Sequence, residues 1–485
     1  MRTFIFKKAN VLCYLLLSMI LVSCVKNTDT STVINEQQQS IDAYVKHLQK
    51  RHEIPGVSLA IIKDDKVLYK GTFGNASIEH NSPILDQSIF RVYSLTKPIV
   101  AVAVFQLIEK EKLSLEDTIG KYVRDLPTTW NGIQIKHLLT HSSGLPDMAP
   151  YNRMEKLTEK EAKELVFNKD KLFSLGEKYA YNQTNFWLLQ LIVEKVSGEA
   201  LEDFIIKNQF DGISEKVFFS SNSKEIVVNR VTPYFPFETG TIQIDHSSLK
   251  GRYMFAANGL NIAIDAFTEW NQKLNSGVLI NKETLRKMWE TFPYTTSNKR
   301  FTYGWDKHVV NGHDSYGFSG SLITAYRVFP NDNLSIIFLS NGLGNYYNIE
   351  NIIDHIASII DDDIVNIANQ AFETLLQASI EFGVDALEKD YSDLENDEKY
   401  KQLNFENLVN DVGYQLINQK RIDKAIQVFA FNTQQFPNSA NAFDSLGEAY
   451  YRDYQNEKAI KNYEKAIELG GTNGNAKKML AAIKK

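Results

Sequence analysis

Cysteine is nearly missing from this chain: its 485 residues include only Cys13 and Cys24. Neither lies beyond the first 24 positions, so the body of the protein can form no internal disulfide. Zinc-finger spacing, a Walker A loop, a G-x-G-x-x-G turn and a Gly-x-Ser-x-Gly elbow are all lacking. Without them, no motif calls for a metal, a nucleotide or another cofactor, and an α/β-hydrolase elbow has no support. Excess positive charge is lacking too. Lys+Arg number 53 against 59 Asp+Glu, a net charge of −6, which argues against a nucleic-acid partner. Apolar runs of membrane-spanning length are also missing. The longest, Ala9 to Val22, is short for a bilayer and has the proportions of a signal peptide.

The amino terminus fits export. Arg2, Lys7 and Lys8 precede the apolar run, and Leu21-Val22-Ser23-Cys24 resembles a bacterial lipobox. Residues 1–23 therefore read as a lipoprotein signal peptide and Cys24 as the lipidated first residue of the mature protein. The expected location is the bacterial cell envelope, lipid-anchored on the periplasmic or outer surface. Loss of Arg2, Lys7 and Lys8 would take the net charge from −6 to −9. Residues 24–39 read as a polar tether whose Val25–Gln39 stretch would reach about 50 Å if extended.

Val57 to Ile62 and Lys66 to Tyr69 are β-rich runs around Asp64-Asp65, which predicts a hairpin. Apolar helical patterns follow at Ile99 to Ile108 and from Thr184 to a stop at Gly198. Further β-runs appear at Leu322 to Phe329 and Leu334 to Ser340, joined by Pro330-Asn331-Asp332-Asn333. Strands at both ends with helices between predict a layered domain over 40–360, its sheet pairing chain-distant strands. Thr232 to Gly240 is aromatic and proline-rich, either a surface loop or a cleft wall. Residues 361–406 read as an acidic helical linker. Over 407–485 a self-similarity appears at an offset of 34: Gly413 with Gly447, Ala425 with Ala459, Phe429 with Tyr463, Pro437 with Gly471. This period resembles the tetratricopeptide repeat, closed by a capping helix at Asn475 to Ile483, and implies a peptide or protein partner.

The chemistry centres on Ser94-Leu95-Thr96-Lys97-Pro98, directly before the apolar helix. Residues three apart share a helical face, so the Lys97 amine can lie beside the Ser94 hydroxyl. Burial that depresses the lysine pKa would free that amine to take the serine proton. The spacing alone is not distinctive, since Ser23/Lys26, Ser221/Lys224 and Ser247/Lys250 share it. Only Ser94 leads into a long apolar helix, where the same residues could equally form a simple helix cap. His137 and His141 stand at i, i+4, but no third metal ligand accompanies them and a packing role is expected.

Three more blocks follow in order. They are His137-Leu138-Leu139-Thr140-His141-Ser142-Ser143-Gly144-Leu145-Pro146, Tyr181-Asn182-Gln183-Thr184-Asn185, and Gly317-Phe318-Ser319-Gly320-Ser321. With Ser94 and Lys97, they make residues 40–360 resemble the serine β-lactamase-like hydrolases, the superfamily of class C β-lactamases and penicillin-binding proteins. The resemblance implies an α/β, β-lactamase/transpeptidase-like fold: an antiparallel sheet flanked by helices plus a helical subdomain. The all-α repeat region would follow it. It also implies that Ser94 is the nucleophile, Lys97 and Tyr181 share the base role, and the Ser94 and Ser321 amides form the oxyanion hole. Gln183, Phe318, Ser319 and Gly320 would line the substrate site.

Two positions depart from the family pattern. Gln183 stands where asparagine is common, and Phe318 where lysine or histidine usually binds a substrate carboxylate. A phenylalanine makes no charge-assisted pair. The expected enzyme is thus an acyl-enzyme hydrolase of esters or small amides rather than β-lactams. The alternatives are a D-amino-acid-specific peptidase on cell-wall peptides and an inactive scaffold acting through its repeats. Asn258-Gly259, where the family often shows paired glycines, reads equally well as an ordinary turn.

Overall fold

A computed structural model describes residues 30–149, 157–236, 242–245, 251–344, 347–470 and 475–483. Residues 1–23, read as a signal peptide, and Cys24 lie outside the described residues. Seven antiparallel strands form the main sheet. Gly56–Lys63 and Lys66–Ser77 make the expected hairpin. Asp64 and Asp65 both take positive φ, 51° and 61°, the backbone of a tight two-residue turn. Gly56–Lys63 also pairs with Leu334–Ser340, Val57 opposite Ser340, so the ends of the domain meet at the sheet's centre. Asp306–Val310, His313–Gly320 and Thr324–Phe329 complete that side.

Alternation along the central strand separates two cores. Ala60 and Ile62 face the Thr96–Glu109 helix and the helical subdomain. Leu59 and Ile61 face the Thr30–His52 and Ile349–Ile360 helices. Among the described residues no helix is long and apolar enough to cross a membrane.

Two expectations need correction. The stretch read as a tether is helical from Thr30 onward. Ile41, Val45 and Leu48 bury one stripe of that helix on the sheet. The Gln37 amide reaches back to the Ile359 and Ile360 carbonyls at 3.2 Å, occupying acceptors that a helix end leaves open. Leu322 and Ile323 are not strand. Ser321 and Leu322 take φ of 51° and 63°, turning the chain between His313–Gly320 and Thr324–Phe329. The acidic stretch 361–406 is helical as expected, and its helices Ile367–Glu381 and Val384–Asn396 share a core with the helices that follow. Its charges occupy the outer face, while Leu375, Leu376 and Leu387 are buried.

The 34-residue offset corresponds to two helical hairpins, Phe405–Asn418 with Ile422–Gln435 and Ala440–Arg452 with Asn456–Glu468. Gly413 lets its helix approach Phe429 so closely that a Cβ there would stand 2.4 Å from the ring. Gly413→Val is therefore expected to destabilise this region by about 1–3 kcal/mol, read as a lowered denaturant midpoint of the full chain's helical signal. The helical region is tied to the sheet domain through Glu373, which binds both Arg51 and Tyr347.

Candidate active site

Ser94 sits in a 3₁₀ turn, Tyr93–Leu95, that feeds the Thr96–Glu109 helix. Pro98 fits the first helical turn, whose N–H groups have no intrahelical partner. Ile99 to Phe105 of this helix are apolar and enclosed, which draws Lys97 into the interior: its side chain is fully buried. Burial holds the Lys97 pKa below its ordinary 10.5, with Tyr181 opposing the shift.

Lys97 Nζ donates to Ala257 O at 2.8 Å and to Gln183 Oε1 at 3.0 Å, and lies 3.3 Å from Ser94 Oγ. A neutral amine has two N–H bonds and one lone pair. In its neutral form, with the two carbonyl oxygens accepting these N–H bonds, the lone pair would face Ser94. Across the serine, the Tyr181 hydroxyl stands 2.7 Å from Ser94 Oγ. Tyr181 also places its ring 4.7 Å from Lys97 Nζ, so both side chains reach one hydroxyl.

Gln183, one methylene longer than asparagine, reaches Lys97 Nζ through its Oε1. Its backbone N–H is fixed by Asp147 Oδ1 at 3.0 Å, which also accepts from Ala149 N at 3.1 Å. Burial raises the Asp147 pKa, and these two N–H groups and the Lys97 charge counter it. The next residue starts the Thr184–Ser197 helix, whose Phe186 ring lies 5.3 Å from Lys97 Nζ.

His141 and His137 have separate structural places. His141 is wholly buried among the rings of Tyr179, Tyr181, Phe186 and Phe301. Its Nδ1 accepts from Asn185 Nδ2 at 3.0 Å and lies 3.4 Å from the Asn182 amide, which places the ring proton on Nε2. Burial, then the Lys97 charge, holds it neutral by pushing its pKa well down. His137 Nδ1 accepts the Gln134 amide at 3.3 Å, capping a short helix, and burial lowers its pKa to about 4.

The fourth block closes the site from the sheet. Gly320 lies against the Val92 carbonyl: a Cβ there would stand 2.0 Å from that oxygen. Thr324 Oγ1 reaches the same carbonyl at 3.3 Å. This approach brings the Ser321 turn beside residues 92–94. Phe318 is buried against Tyr181 and Phe301, with ring centroids 6.2 and 6.0 Å away. Strand alternation sends the half-buried Ser319 to the opposite face. Asn258 ends a short helix, and its Oδ1 accepts from Ser221 Oγ at 2.7 Å; Gly259 follows with no room for a side chain against Phe255.

Sequence reasoning did not single out Asp147, the Ala257 carbonyl or Phe186. Asp147 directly follows the His137–Pro146 block, a signal that was available; a backbone carbonyl leaves none.

A buried Ser-x-x-Lys turn, a facing tyrosine and a glycine-tipped strand define the fold shared by serine β-lactamases and penicillin-binding proteins. The chain belongs to the Beta-lactamase family, whose pattern matches residues 41–357. Penicillin-binding protein 4* of Bacillus subtilis (strain 168) is 32% identical over 174 residues, 33% of this chain and 38% of that protein. Protein flp of Staphylococcus aureus (strain MW2) is 29% identical over 181 residues, 35% of this chain and 36% of that protein. The matches thus span less than two fifths of either curated relative. Among solved structures, the octameric penicillin-binding protein homologue from Pyrococcus abyssi superposes with a TM-score of 0.61 at 21% identity, covering 71% of this chain and 82% of its own. EstCE1, described as a hydrolase with promiscuous acyltransferase activity, gives 0.55 at 18% identity, covering 69% and 99%.

Proposed function

We propose that the protein is a serine hydrolase that works through an acyl-enzyme and takes esters or uncharged amides. One observation carries this reading: the buried Lys97 Nζ lies within hydrogen-bond distance of Ser94 Oγ and of two carbonyl oxygens, which in the neutral amine would take both N–H bonds and leave the lone pair to the serine. Ser94 Oγ attacks the substrate carbonyl and passes its proton to Lys97, with Tyr181 relaying it to the leaving group. The Ser94 and Ser321 amides receive the developing oxyanion. Water then attacks the ester at Ser94 by the reverse relay.

Phe318 supports the choice of substrate. The position beside Tyr181 holds a ring rather than a cation, so a substrate carboxylate finds no partner there. Phe318→Lys is expected to raise kcat/KM for a carboxylate-bearing cephalosporin by about 10- to 100-fold, as a charge-assisted hydrogen bond would. Hydrolysis of a chromogenic cephalosporin, compared with that of p-nitrophenyl butyrate, checks this. Unchanged cephalosporin turnover in a folded, esterase-active variant contradicts the assignment. For the wild type, rapid ester turnover without a penicillin adduct supports the reading. Cleavage of D-Ala-terminated peptides would favour a cell-wall peptidase instead.

A further inference from the structure

The residue before the nucleophile has an uncommon backbone. Tyr93 takes φ 48°, a left-handed conformation that a bulky side chain rarely adopts unless its surroundings impose it. Its carbonyl accepts the Thr96 hydroxyl at 2.6 Å, and that hydroxyl in turn accepts the Leu260 amide at 3.0 Å. Its phenol donates to Asp245 Oδ2 at 3.1 Å.

Asp245 Oδ2 is the hub of a buried cluster. It also accepts Ser223 Oγ at 2.7 Å and lies 3.5 Å from Arg91 Nη1, which donates to Ser223 Oγ at 2.6 Å. The Arg91 guanidinium stands 4.5 Å over the Tyr93 ring, and Phe235 meets that ring edge-on at 5.9 Å. The Arg91 and Asp245 side chains are 4% and 9% exposed. Burial and the Asp245 charge both raise the Tyr93 pKa, so the phenol remains a donor.

These contacts come from three separate stretches of chain. Arg91 ends the strand that leads into the Ser94 turn, and Ser223 lies in the loop after Val217–Phe219. Phe235 lies within the pairing of Tyr234–Pro236 with Ile242–Ile244, and Asp245 directly follows it. The base of that hairpin is fixed at Tyr234, whose hydroxyl accepts the Ile78 amide at 2.8 Å, and at Asp245, whose amide donates to Pro233 O at 2.8 Å. No atom of the cluster belongs to the Ser94, Lys97, Tyr181 set, yet the cluster grips the residue whose φ aims Ser94.

We propose that Asp245 is a positioning residue: with Arg91 it holds Tyr93 in the left-handed backbone that presents the Ser94 hydroxyl to Lys97 and Tyr181. The inference rests on the acyl-enzyme reading of Ser94. It assigns Phe235, in the aromatic, proline-rich segment, a task that composition did not reveal. Released from Asp245, Tyr93 relaxes toward negative φ and turns Ser94 away from its bases. A misplacement of about 1 Å at a reacting atom costs on the order of 100-fold in rate.

The test is the rate at which a fluorophosphonate labels Ser94, followed by intact mass. In that reaction the Oγ–P bond forms, the P–F bond breaks, fluoride leaves and the serine proton passes to Lys97. Asp245→Ala is expected to slow labelling about 10- to 100-fold, and Asp245→Asn, which keeps an acceptor for the phenol, by much less. The discriminating variant is Tyr93→Asn in the Asp245→Ala background. Asparagine adopts positive φ readily, so it restores most of the lost rate if the cluster acts by holding that conformation. A purely structural role for Asp245 would not be rescued this way, and failure of rescue in folded protein overturns the inference. So does wild-type labelling by Asp245→Ala. Should Asp245→Ala not fold, Tyr93→Phe removes only the phenol contact and must also slow labelling; an unchanged rate overturns the inference equally. Absence of labelling in the wild type would instead defeat the acyl-enzyme reading, a separate result.

Discussion

Lys97→Met is expected to lower the acylation rate of Ser94 by about 10²- to 10⁴-fold, the range for losing a positioned general base. Methionine fills much of the same enclosed volume but offers no lone pair at nitrogen. The pH dependence should change with it. Burial places the Lys97 pKa below 10.5, so wild-type kcat/KM rises with pH along a limb centred below that value. The variant loses the limb and keeps a low, flatter residual rate. Stability follows the same ionisation. Below the folded pKa both states hold the proton, and the full cost of burying an ammonium weighs on the fold. Between the folded value and 10.5 the unfolded chain binds more protons, so stability rises with pH across that window. Lys97→Met removes this rise, which denaturation midpoints at several pH values would show. A variant that retains wild-type acylation would exclude Lys97 as the base.

Gly320→Ala is expected to lower kcat by about 10²- to 10³-fold, the cost of losing an oxyanion donor. The added Cβ would stand 2.0 Å from the Val92 carbonyl oxygen. Its obstacle is backbone rather than a side chain that can rotate. Val92 O is also engaged by the Leu95 amide at 3.0 Å, within the turn that carries Ser94. The strand end must therefore retreat, and the Ser321 amide retreats with it. Ester binding should change less than kcat, because the displaced amide acts on charge that develops only in the transition state. Steady-state kinetics on a p-nitrophenyl ester, with a thermal melt showing that the variant is folded, check the result. Wild-type kcat in this variant would show that the sheet edge does not supply the oxyanion amide.

Local pattern made much of this architecture legible. Asp64-Asp65 between two β-rich runs specified the hairpin, and the apolar period from Ile99 specified the helix behind Ser94. Gly198 marked the end of the Thr184 helix, where it takes φ 78° as the C-terminal cap. Phe429 and Tyr463 occupy corresponding places against Gly413 and Gly447, as the repeat offset required. Elsewhere local polarity misled. The polar stretch before Ser40 is helical because the stripe that buries it, Ile41, Val45 and Leu48, lies further along. Leu322 continued an apolar run but turns through a left-handed backbone that hydrophobicity does not encode.

The site was legible only as far as side-chain identity carries. Ser94, Lys97, Tyr181 and Gln183 come together in space. The Ala257 carbonyl, which accepts a Lys97 N–H, is a backbone group 160 residues away and has no sequence signature. Asp245 reaches Tyr93 across 152 residues, so only tertiary packing reveals their contact.

The central claim is that Ser94 is a nucleophile activated by a buried neutral amine. Its most direct test is the intact mass of the purified protein after exposure to a fluorophosphonate, beside Ser94→Ala treated identically. The account predicts one phosphonyl adduct on the wild type, mapped to Ser94, and none on the variant. An unlabelled wild type that is folded, or a variant labelled to the same extent, would contradict it.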